Sequence, residues 1–250
     1  MKNVMTYVAT LLPRRFDVES ECMVKVQIDN SLEIGWTRQQ IVLLTDFPFE
    51  YNGVQSVVME NHSCSRRHDR NGRSRKRGFN KIVTIMWLYE QGLLDEDIFF
   101  HDLDAFQNHE FLDYPDEQYR PFDLAIAPNS NRSCYIACCM FFKSTARPLW
   151  EEIYKTASKH GLDEERAIMK LFPPAKQSKE VVMMDISYNI DQHCQVSGFL
   201  DGFQPARILH FHPLRRKRLY YRAFVLGANV LNKPLACERV GRLITKHCGS

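Results

Sequence analysis

Hydrophobic residues in the first hundred positions alternate between short continuous runs and longer stripes with helical spacing. The short runs predict buried β-strands. They lie at residues 6–12, 41–45, 54–59 and 98–101. The clearest stripes recur every three or four positions and predict helices that end near Gly35 and Gly92. Strands and helices that alternate in this way are typical of an α/β fold whose central sheet is mostly parallel.

The second half of the chain has a less regular pattern. Four further strands are predicted, at residues 124–127, 135–142, 181–184 and 208–212. Two helices are predicted between them: one ends at Gly161, and the other covers roughly 163–171, before two prolines. No internal repeat and no linker rich in proline, glycine or serine divides the sequence. We therefore expect one α/β domain over residues 1–250, with a more irregular C-terminal part.

The composition is that of a globular protein. Of the 250 residues, 44% are hydrophobic and 25% are charged, values that disfavour a disordered chain, a collagen or a coiled coil. No apolar run is long enough to span a bilayer and no signal-peptide cleavage site is recognisable, so we expect a soluble, cytoplasmic protein without membrane contact. Eight cysteines without a CxxC pair favour buried thiols over a disulfide framework or a zinc site.

The net charge of +3 conceals a strong segregation of charge along the sequence. Residues 66–81 carry eight lysines and arginines against one acid, and residues 95–123 carry ten acids against one arginine. A second basic run covers residues 215–222. A block of like charge is by itself as easily a solvated surface as a binding site. The position of the blocks relative to the predicted strands makes them informative.

Two carboxylates follow the apolar strand at 98–101. Asp102 and Asp104 are alternate residues, and alternate side chains of an extended segment point the same way. In an open α/β sheet, ligands bind beyond the carboxyl ends of the strands. Carboxylate oxygens are the ligands that Mg²⁺ and Mn²⁺ prefer. We therefore expect a divalent cation at this pair, although two surface carboxylates in a chain with 30 acids are the competing interpretation.

The last predicted strand supplies candidates for a third ligand. His210 and His212 lie on one face of this strand, and a basic cluster follows them. Imidazole binds Mn²⁺ as well as zinc, so either histidine can complete a site begun by the two aspartates. The competing interpretation is a half-buried strand with two exposed histidines.

Together these motifs resemble the GT-A nucleotide-sugar glycosyltransferases, and among them the glycogenin and bacterial galactosyltransferase family. The resemblance rests on a strand that ends in Asp-x-Asp, a preceding helix with a basic residue at its start, and a late strand with a histidine before a basic residue. It implies that Asp102, Asp104 and His210 bind the Mn²⁺ that holds the donor diphosphate. His212 is the alternative to His210, and Mg²⁺ is the alternative to Mn²⁺.

The resemblance also implies which residues surround the donor. Arg216 stands six residues after His210, where the family has a lysine that contacts the diphosphate. Lys81, with Arg77 as its competitor, corresponds to the family's basic residue at the start of the helix before Asp-x-Asp. The remaining residues expected at the nucleotide sugar are Ala9 and Thr10, in the first predicted strand, and Asp46, directly after the second.

Two acids that adjoin apolar strands, Asp123 and Asp185, are candidates for activating the acceptor or stabilising the developing sugar cation. Asp185 also corresponds to the family's Asp-Gln pair, with residues 191–192 as the alternative. Three positions depart from the family pattern: no acid directly follows the first strand, the strand at 135–142 lacks an Asn-Ala/Ser-Gly motif, and Pro213 replaces a glycine. The resemblance is therefore to a divergent relative.

The resulting hypothesis is a metal-dependent transfer of a sugar from a nucleoside-diphosphate sugar, by the family's default a UDP-sugar. Residues 1–104 are expected to bind the nucleotide sugar, residues 105–222 to form the acceptor half with the late metal-binding strand, and residues 223–250 to be a C-terminal tail. The segment 66–77 carries more positive charge than a sugar diphosphate needs. A nucleic-acid acceptor, such as a modified DNA base in a phage, is therefore one expectation, beside a saccharide or a protein.

Two other classes of function remain open on the sequence alone. A non-enzymatic nucleic-acid-binding protein would use the basic segments 66–77 and 215–222 on the phosphate backbone. A metal-dependent nuclease would use Asp102 and Asp104, but the further paired carboxylates beside a lysine that nucleases generally need are not identifiable in the sequence.

Overall fold

The computed structural model describes residues 1–7, 18–59, 81–129, 132–176, 178–191, 206–210 and 238–248. These described residues form five helices and two β-sheets. The helices are α1 (Val18–Ile34), α2 (Lys81–Glu90), α3 (Arg147–His160), α4 (Glu164–Leu171) and α5 (Glu238–Cys248). No helix in these ranges combines the length and hydrophobicity that crossing a lipid bilayer requires.

The described residues contain eleven strands. In chain order they are β1 (Lys2–Tyr7), β2 (Ile41–Thr45), β3 (Glu50–Tyr51), β4 (Val54–Val58), β5 (Ile98–His101), β6 (Ala105–Gln107), β7 (Leu124–Pro128), β8 (Tyr135–Phe142), β9 (Val181–Met183), β10 (Ile190–Asp191) and β11 (Ile208–His210). Eight of them form the central sheet in the order β3-β4-β2-β1-β5-β8-β7-β9, and the others form a small sheet in the order β10-β11-β6. Strands β4, β2, β1 and β5 are parallel, whereas β8 is antiparallel to both neighbours. The α/β fold with a mostly parallel central sheet is confirmed.

Helices cover both faces of the central sheet, and this is why its inner strands are mostly hydrophobic on both faces. Consecutive strand residues point to opposite faces. Val4 and Phe100 therefore pack in the core under α2, α3 and α4, whereas their neighbours Met5 and Phe99 pack in the core under α1.

The helices predicted before Gly35, Gly92 and Gly161 are confirmed as α1, α2 and α3. Gly161 shows the physical reason for such an ending. Its φ of 61° lies in the left-handed region, where glycine has no steric penalty, and its N–H donates to the Ala157 carbonyl. The sequence pattern missed β3, β6 and β10, because each has only two or three residues and so shows no readable period.

The small sheet joins two distant parts of the chain beside the carboxyl end of β5. Strand β6 begins at Ala105, directly after the two aspartates. Strand β11 pairs with β6 in the antiparallel direction, which puts His210 opposite Ala105 and Ile208 opposite Gln107. Strand β10 pairs with the other side of β11 in the parallel direction. The histidine and the aspartates are therefore neighbours in space.

The helix α5 lies within the stretch that was expected to be a C-terminal tail. Its buried side chains, Val240, Leu243 and Ile244, form one helical stripe. This stripe packs against α1. The end of the described chain is thereby attached to the helix that covers one face of the central sheet.

Asp29 of α1 is the centre of this attachment. Its carboxylate accepts hydrogen bonds from Lys246 and His247 of α5 (2.8 Å each) and from Asn52 (3.0 Å) and Tyr51 (3.1 Å) at the β3–β4 turn. Burial by itself would raise the pKa of Asp29, but the hydrogen bonds from these four residues together lower it to about 2. The ionised carboxylate therefore ties α5 and the β3–β4 hairpin to α1.

We predict that Asp29→Asn lowers the free energy of unfolding by about 2 kcal/mol at pH 7, since that is the value of a pKa lowered from 3.8 to about 2. Because the folded state has the lower pKa, this stabilisation is complete above about pH 5 and is lost as the pH falls towards 2. Urea denaturation of both proteins at about pH 7 and about pH 3 measures the difference, which we expect to be smaller in acid.

Glu33→Gln is the matched control. Glu33 lies on the same helix and pairs with Arg242 of α5, but this ion pair is exposed. An exposed ion pair contributes about 1 kcal/mol or less, so the control should change little at either pH. An equal loss of stability at both pH values for Asp29→Asn would contradict the lowered pKa.

Candidate metal centre

Asp102 and Asp104 lie at the carboxyl edge of the parallel strands, directly after β5. The Asp102 N–H donates to the Cys138 carbonyl of β8 (2.9 Å), and the Ala105 N–H donates to the Asp102 carbonyl (3.1 Å). This second bond closes a tight turn over residues 102–105, where the sequence suggested an extended segment. The two carboxylates therefore converge through a turn and not through the alternation of side chains along a strand.

His210 reaches this turn through the pairing of β11 with β6. Its Nε2 lies 3.5 Å from a carboxylate oxygen of Asp104. One ligand atom from each of Asp102, Asp104 and His210 lies within 4.8 Å of the other two. The imidazole is 1% exposed, whereas the side chains of Asp102 and Asp104 are 26% and 15% exposed. The cluster is therefore buried at the histidine and accessible at the carboxylates.

Asn189 orients the imidazole of His210. The Asn189 amide nitrogen donates to the Pro128 carbonyl (2.7 Å), and its amide oxygen faces His210 Nδ1 at 2.9 Å. An oxygen at this position requires the hydrogen on Nδ1, so the lone pair of the neutral ring is on Nε2, the nitrogen nearer to Asp104. A hydrogen-bond partner on the other ring nitrogen is the usual arrangement of a metal-binding histidine.

Lys81, the first residue of α2, pairs with the first aspartate. Its Nζ donates to an Asp102 carboxylate oxygen (2.8 Å) and to the Ala137 carbonyl oxygen (2.5 Å). Burial acts to lower the pKa of Lys81, but the negative charges of Asp102 and Glu164 outweigh it and raise the pKa above its ordinary value. Lys81 is therefore a fixed positive charge at the edge of the cluster.

The electrostatics of the cluster favour an added cation. Burial raises the pKa of Asp102; the charge of Lys81 opposes this effect and the like charge of Asp104 adds to it, so that the pKa lies above its ordinary value. A divalent cation would lower the cost of keeping both carboxylates ionised in this partly buried turn. Two carboxylates and one imidazole form a donor set that suits Mn²⁺ or Mg²⁺. The residues present therefore fit a divalent metal ion.

Two other predicted site residues lie at the same edge of the sheet. Asp46 directly follows β2, which is parallel to β1 and β5. Asp185 follows β9, whose pairing through β7 and β8 makes it parallel to β5. The Asp185 carboxylate accepts from the Ser187 N–H (2.8 Å) and from the Tyr119 hydroxyl (3.2 Å). It therefore caps the short 3₁₀ turn that precedes Asn189.

Asp123 lies at the opposite edge of the sheet. It precedes Leu124, which is opposite Phe142 in β8, and Phe142 is also opposite Ile98, the first residue of β5. Asp123 is therefore beside the start of β5, and the aspartate turn follows the end of β5. The length of this strand, about 13 Å at 3.3 Å per residue, separates the two. The structure does not bring Asp123 to the cluster, because a position next to an apolar strand does not show which end of that strand is at the site.

The other predicted site residues, Ala9, Thr10, Arg77, Arg216 and His212, lie outside the described residues, as do the basic segments 66–77 and 215–222. The structure does describe residues that precede or follow them in the sequence. Tyr7 ends β1, Lys81 begins α2 and His210 ends β11, and all three are at the carboxyl edge of the parallel strands.

Sequence reasoning missed the contribution of the β8 backbone. The residues between Ile136 and Met140 bulge out of the register with β7. In this bulge, the Ala137 carbonyl accepts from Lys81 and the Cys138 carbonyl accepts from the Asp102 N–H. The small side chains of the bulge are the only sequence signal, because main-chain contacts leave no motif.

We predict that Lys81→Met lowers the free energy of unfolding by about 1–3 kcal/mol, because the partly buried Asp102 carboxylate loses its counter-charge. Adding Asp102→Asn to this variant should recover part of the loss, since a neutral amide needs no counter-charge. Urea denaturation of the wild type, both single variants and the double variant measures the coupling between the two positions. Strictly additive losses would contradict a direct ion pair.

Comparison with known proteins gives a match in structure and none in sequence. No protein-family model matches the chain, and no curated protein is similar to it in sequence. A glycosyltransferase involved in the glycosylation of the major capsid of PBCV-1 is similar in structure, with a TM-score of 0.51 and 10% identity over 89% of this chain and 97% of that chain.

The glycosyltransferase GlyE of Streptococcus pneumoniae TIGR4 is similar with a TM-score of 0.54 and 10% identity, over 92% of this chain and 62% of that chain. Its apo form gives a TM-score of 0.51 and 12% identity, over 93% of this chain and again 62% of that chain. This chain thus spans less than two thirds of the length of GlyE. The fold of this chain is therefore similar to that of these glycosyltransferases.

Proposed function

We propose that this chain is a metal-dependent glycosyltransferase that moves a sugar from a nucleoside-diphosphate sugar to an acceptor. The observation that supports it best is the convergence of Asp102, Asp104 and His210 within 4.8 Å. This cluster stands where open α/β sheets bind their ligands, in a chain with a glycosyltransferase fold. Because one fold hosts many functions, the cluster supports the reaction more strongly than the fold does.

Mn²⁺ or Mg²⁺ is the proposed cofactor, held by Asp102, Asp104 and His210. When bound, the ion would act as a Lewis acid on the donor diphosphate and offset the negative charge that grows on the leaving group. The β6–β11 pairing holds the imidazole beside the carboxylates, and Asn189 holds its tautomer. The ligands are therefore in place before the donor binds, which lowers the cost of reorganisation.

Lys81 is proposed to stabilise the leaving diphosphate from the edge of the cluster. Its Nζ is anchored to Asp102 and to the Ala137 carbonyl, so its charge stays in one place. A cation fixed where negative charge develops stabilises the transition state without moving towards it. Arg216 is proposed to contact the phosphates through its guanidinium group. Arg77 is the alternative to Lys81. Both assignments rest on the family resemblance.

The remaining assignments divide the chain at the aspartate turn. The proposed donor is a UDP-sugar, with its nucleotide near Ala9, Thr10 and Asp46 in the half formed by residues 1–104. The acceptor half is residues 105–222. Asp185 is the catalytic candidate that lies at the correct edge, and its bonds to Tyr119 and Ser187 favour a role in shaping the acceptor side over direct proton transfer. Asp123 has no part in the proposed reaction.

We predict that Mn²⁺ and UDP together raise the melting temperature of the wild-type protein by about 5–10 °C. A ligand at one hundred times its Kd raises the free energy of unfolding by about 2.7 kcal/mol. Each increase of about 1 kcal/mol raises the Tm of a domain of this size by roughly 2–4 °C. Asp104→Asn should abolish the increase, because the neutral amide is a poor ligand for the ion. Thermal unfolding with each component alone and with both measures the effect.

Asp123→Asn is the control, since this carboxylate lies at the other edge of the sheet and should leave the increase unchanged. Other nucleoside diphosphates are tested in the same way, because the nucleotide follows only from the family's default. An increase that survives Asp104→Asn would place the nucleotide elsewhere. No increase with any nucleoside diphosphate would contradict the proposed transfer.

A nucleic-acid acceptor is the second proposal, and the basic segment at 66–77 supports it. Lys81, which is four residues after this segment, lies beside Asp102 of the cluster. The segment therefore leads in sequence into the proposed donor site. Its positive charge is larger than the negative charge of one diphosphate. A non-enzymatic nucleic-acid-binding protein explains the charge equally well but leaves the converging metal ligands without a role.

We predict that a labelled DNA duplex binds at about 50 mM salt and that its affinity falls by about 10³-fold or more at about 200 mM, as for proteins that contact six or more phosphates. Fluorescence anisotropy measures both affinities, and replacement of the arginines at 66–77 by glutamine should remove most of the salt dependence. No binding at low salt would exclude this acceptor. DNA binding without any nucleotide-dependent stabilisation would favour the non-enzymatic alternative.

A further inference from the structure

The helix α1 buries amide side chains against the aspartate turn and against β6. Gln27 and Asn30 are 1% and 0% exposed, although they are polar. Polar side chains that are buried to this extent need hydrogen-bond partners to offset the loss of water. The partners of Gln27 and Asn30 show which backbone groups α1 supports.

Gln27 binds the backbone of the aspartate turn. Its Nε2 donates to the Leu103 carbonyl (2.9 Å) and to the Ala105 carbonyl (3.0 Å). Leu103 lies between Asp102 and Asp104, and Ala105 begins β6. Both hydrogens of one amide nitrogen are therefore used on the short backbone segment that carries the two carboxylates.

The orientation of the Gln27 amide follows from these contacts. A flipped amide would place its oxygen against two carbonyl oxygens, which cannot donate a hydrogen. As placed, Oε1 accepts no hydrogen bond from any described residue, and a buried acceptor without a partner costs free energy. A methionine of similar volume would avoid this cost. Packing alone therefore does not explain why a glutamine occupies this position.

Asn30, one turn further along α1, provides a direct comparison. Its Nδ2 donates to the Gln107 carbonyl (2.9 Å), which is at the far end of β6 from the turn. The two side chains lie on the same helix and make the same type of buried bond. They differ in that Gln27 holds the segment between the metal-ligand candidates, whereas Asn30 holds the far end of β6 and also accepts a hydrogen bond from Arg239 of α5 (2.9 Å).

We propose that Gln27 is a positioning residue that sets the separation of the Asp102 and Asp104 carboxylates and thereby the affinity for the metal ion. The inference rests on the proposed function, because it requires an ion at the cluster. Groups that orient metal ligands without touching the ion typically contribute about 10–100-fold to metal affinity. Gln27 acts in this way on the backbone between two ligands.

The test uses the full-length chain and Mn²⁺ alone, without donor or acceptor. Gln27→Met should raise the Kd for Mn²⁺ about tenfold or more, while Asn30→Leu should change it by less than about twofold. The electron paramagnetic resonance signal of unbound Mn²⁺ measures both affinities, and urea denaturation measures the stability of each variant. Asp104→Asn reports whether the ion binds at the cluster at all.

A second measurement separates positioning from a general loss of stability. A rigid site discriminates between Mg²⁺ and the larger Ca²⁺ by its size and stiffness. The ratio of the two affinities, measured by competition with Mn²⁺, should shift towards Ca²⁺ in Gln27→Met and stay unchanged in Asn30→Leu. A residue that only stabilises the fold would not change this ratio.

Each outcome decides the question. The positioning role is overturned if Gln27→Met binds Mn²⁺ as tightly as the wild type, or if Asn30→Leu loses as much affinity as Gln27→Met. In either case, binding of Mn²⁺ to the wild type still supports the proposed metal centre. If the wild type binds no Mn²⁺, or Asp104→Asn binds it equally well, the proposed metal centre fails and the role of Gln27 fails with it. If Gln27→Met does not fold, Gln27→Asn, which keeps the amide but has a shorter reach, replaces it. Failure of both to fold, with Asn30→Leu folded, assigns Gln27 a structural role and overturns the proposal.

Discussion

The pairing of β6 with β11 is the contact on which the candidate site depends. Strand β6 follows the aspartate turn without a gap, and β11 comes from far later in the sequence, so their main-chain bonds put the imidazole of His210 beside the carboxylates. Because alternate strand residues point to opposite faces, a slip of one residue in this register would direct His210 away from Asp104. Ile208 and Leu209 are fully buried and oppose such a slip. The strand pairing and the burial of β11, and not attraction between the ligands, therefore bring His210 to the aspartate turn.

The acidic block of the sequence separates into different roles in the structure. Asp113 and Glu117 pair with the exposed Arg120, which makes them part of a solvated surface. Asp116 binds Arg207 and the Tyr188 hydroxyl (2.7 Å each) and so holds the chain just before β11. Within this described stretch, only Asp102 and Asp104 belong to the candidate metal cluster. A run of acidic residues in the sequence therefore does not indicate one acidic site in the structure. The turns between the strands place neighbouring acids on different parts of the molecule.

Local patterns predicted most strands of the central sheet, the helices α1 to α4 and the edge at which Asp102 and Asp104 lie, since each of these depends on residues close in sequence. The candidate histidine was identified because its strand carries a recognisable pattern of its own. The roles of Asn189 and Gln27 were not predictable, because their partners are distant in sequence and are chosen by packing. Asp123 shows a related difficulty: a strand's hydrophobicity identifies the strand, but its direction in the sheet decides which end faces a ligand. The turn at residues 102–105 was missed for the opposite reason, because one backbone hydrogen bond changes its shape without changing any periodicity.

The late position of β11 in the sequence has a consequence for the order in which the site is assembled during synthesis. At about 5–20 residues per second, the ribosome makes His210 roughly 5–20 seconds after the aspartate turn. Lys81 precedes the turn in the chain and is available from the beginning as a counter-charge for Asp102. The nascent chain can therefore fold its parallel strands around a neutralised carboxylate before the imidazole exists. The cluster of Asp102, Asp104 and His210 is completed only when most of the chain has been made, so an incomplete chain that stops before β11 would lack the histidine of this cluster.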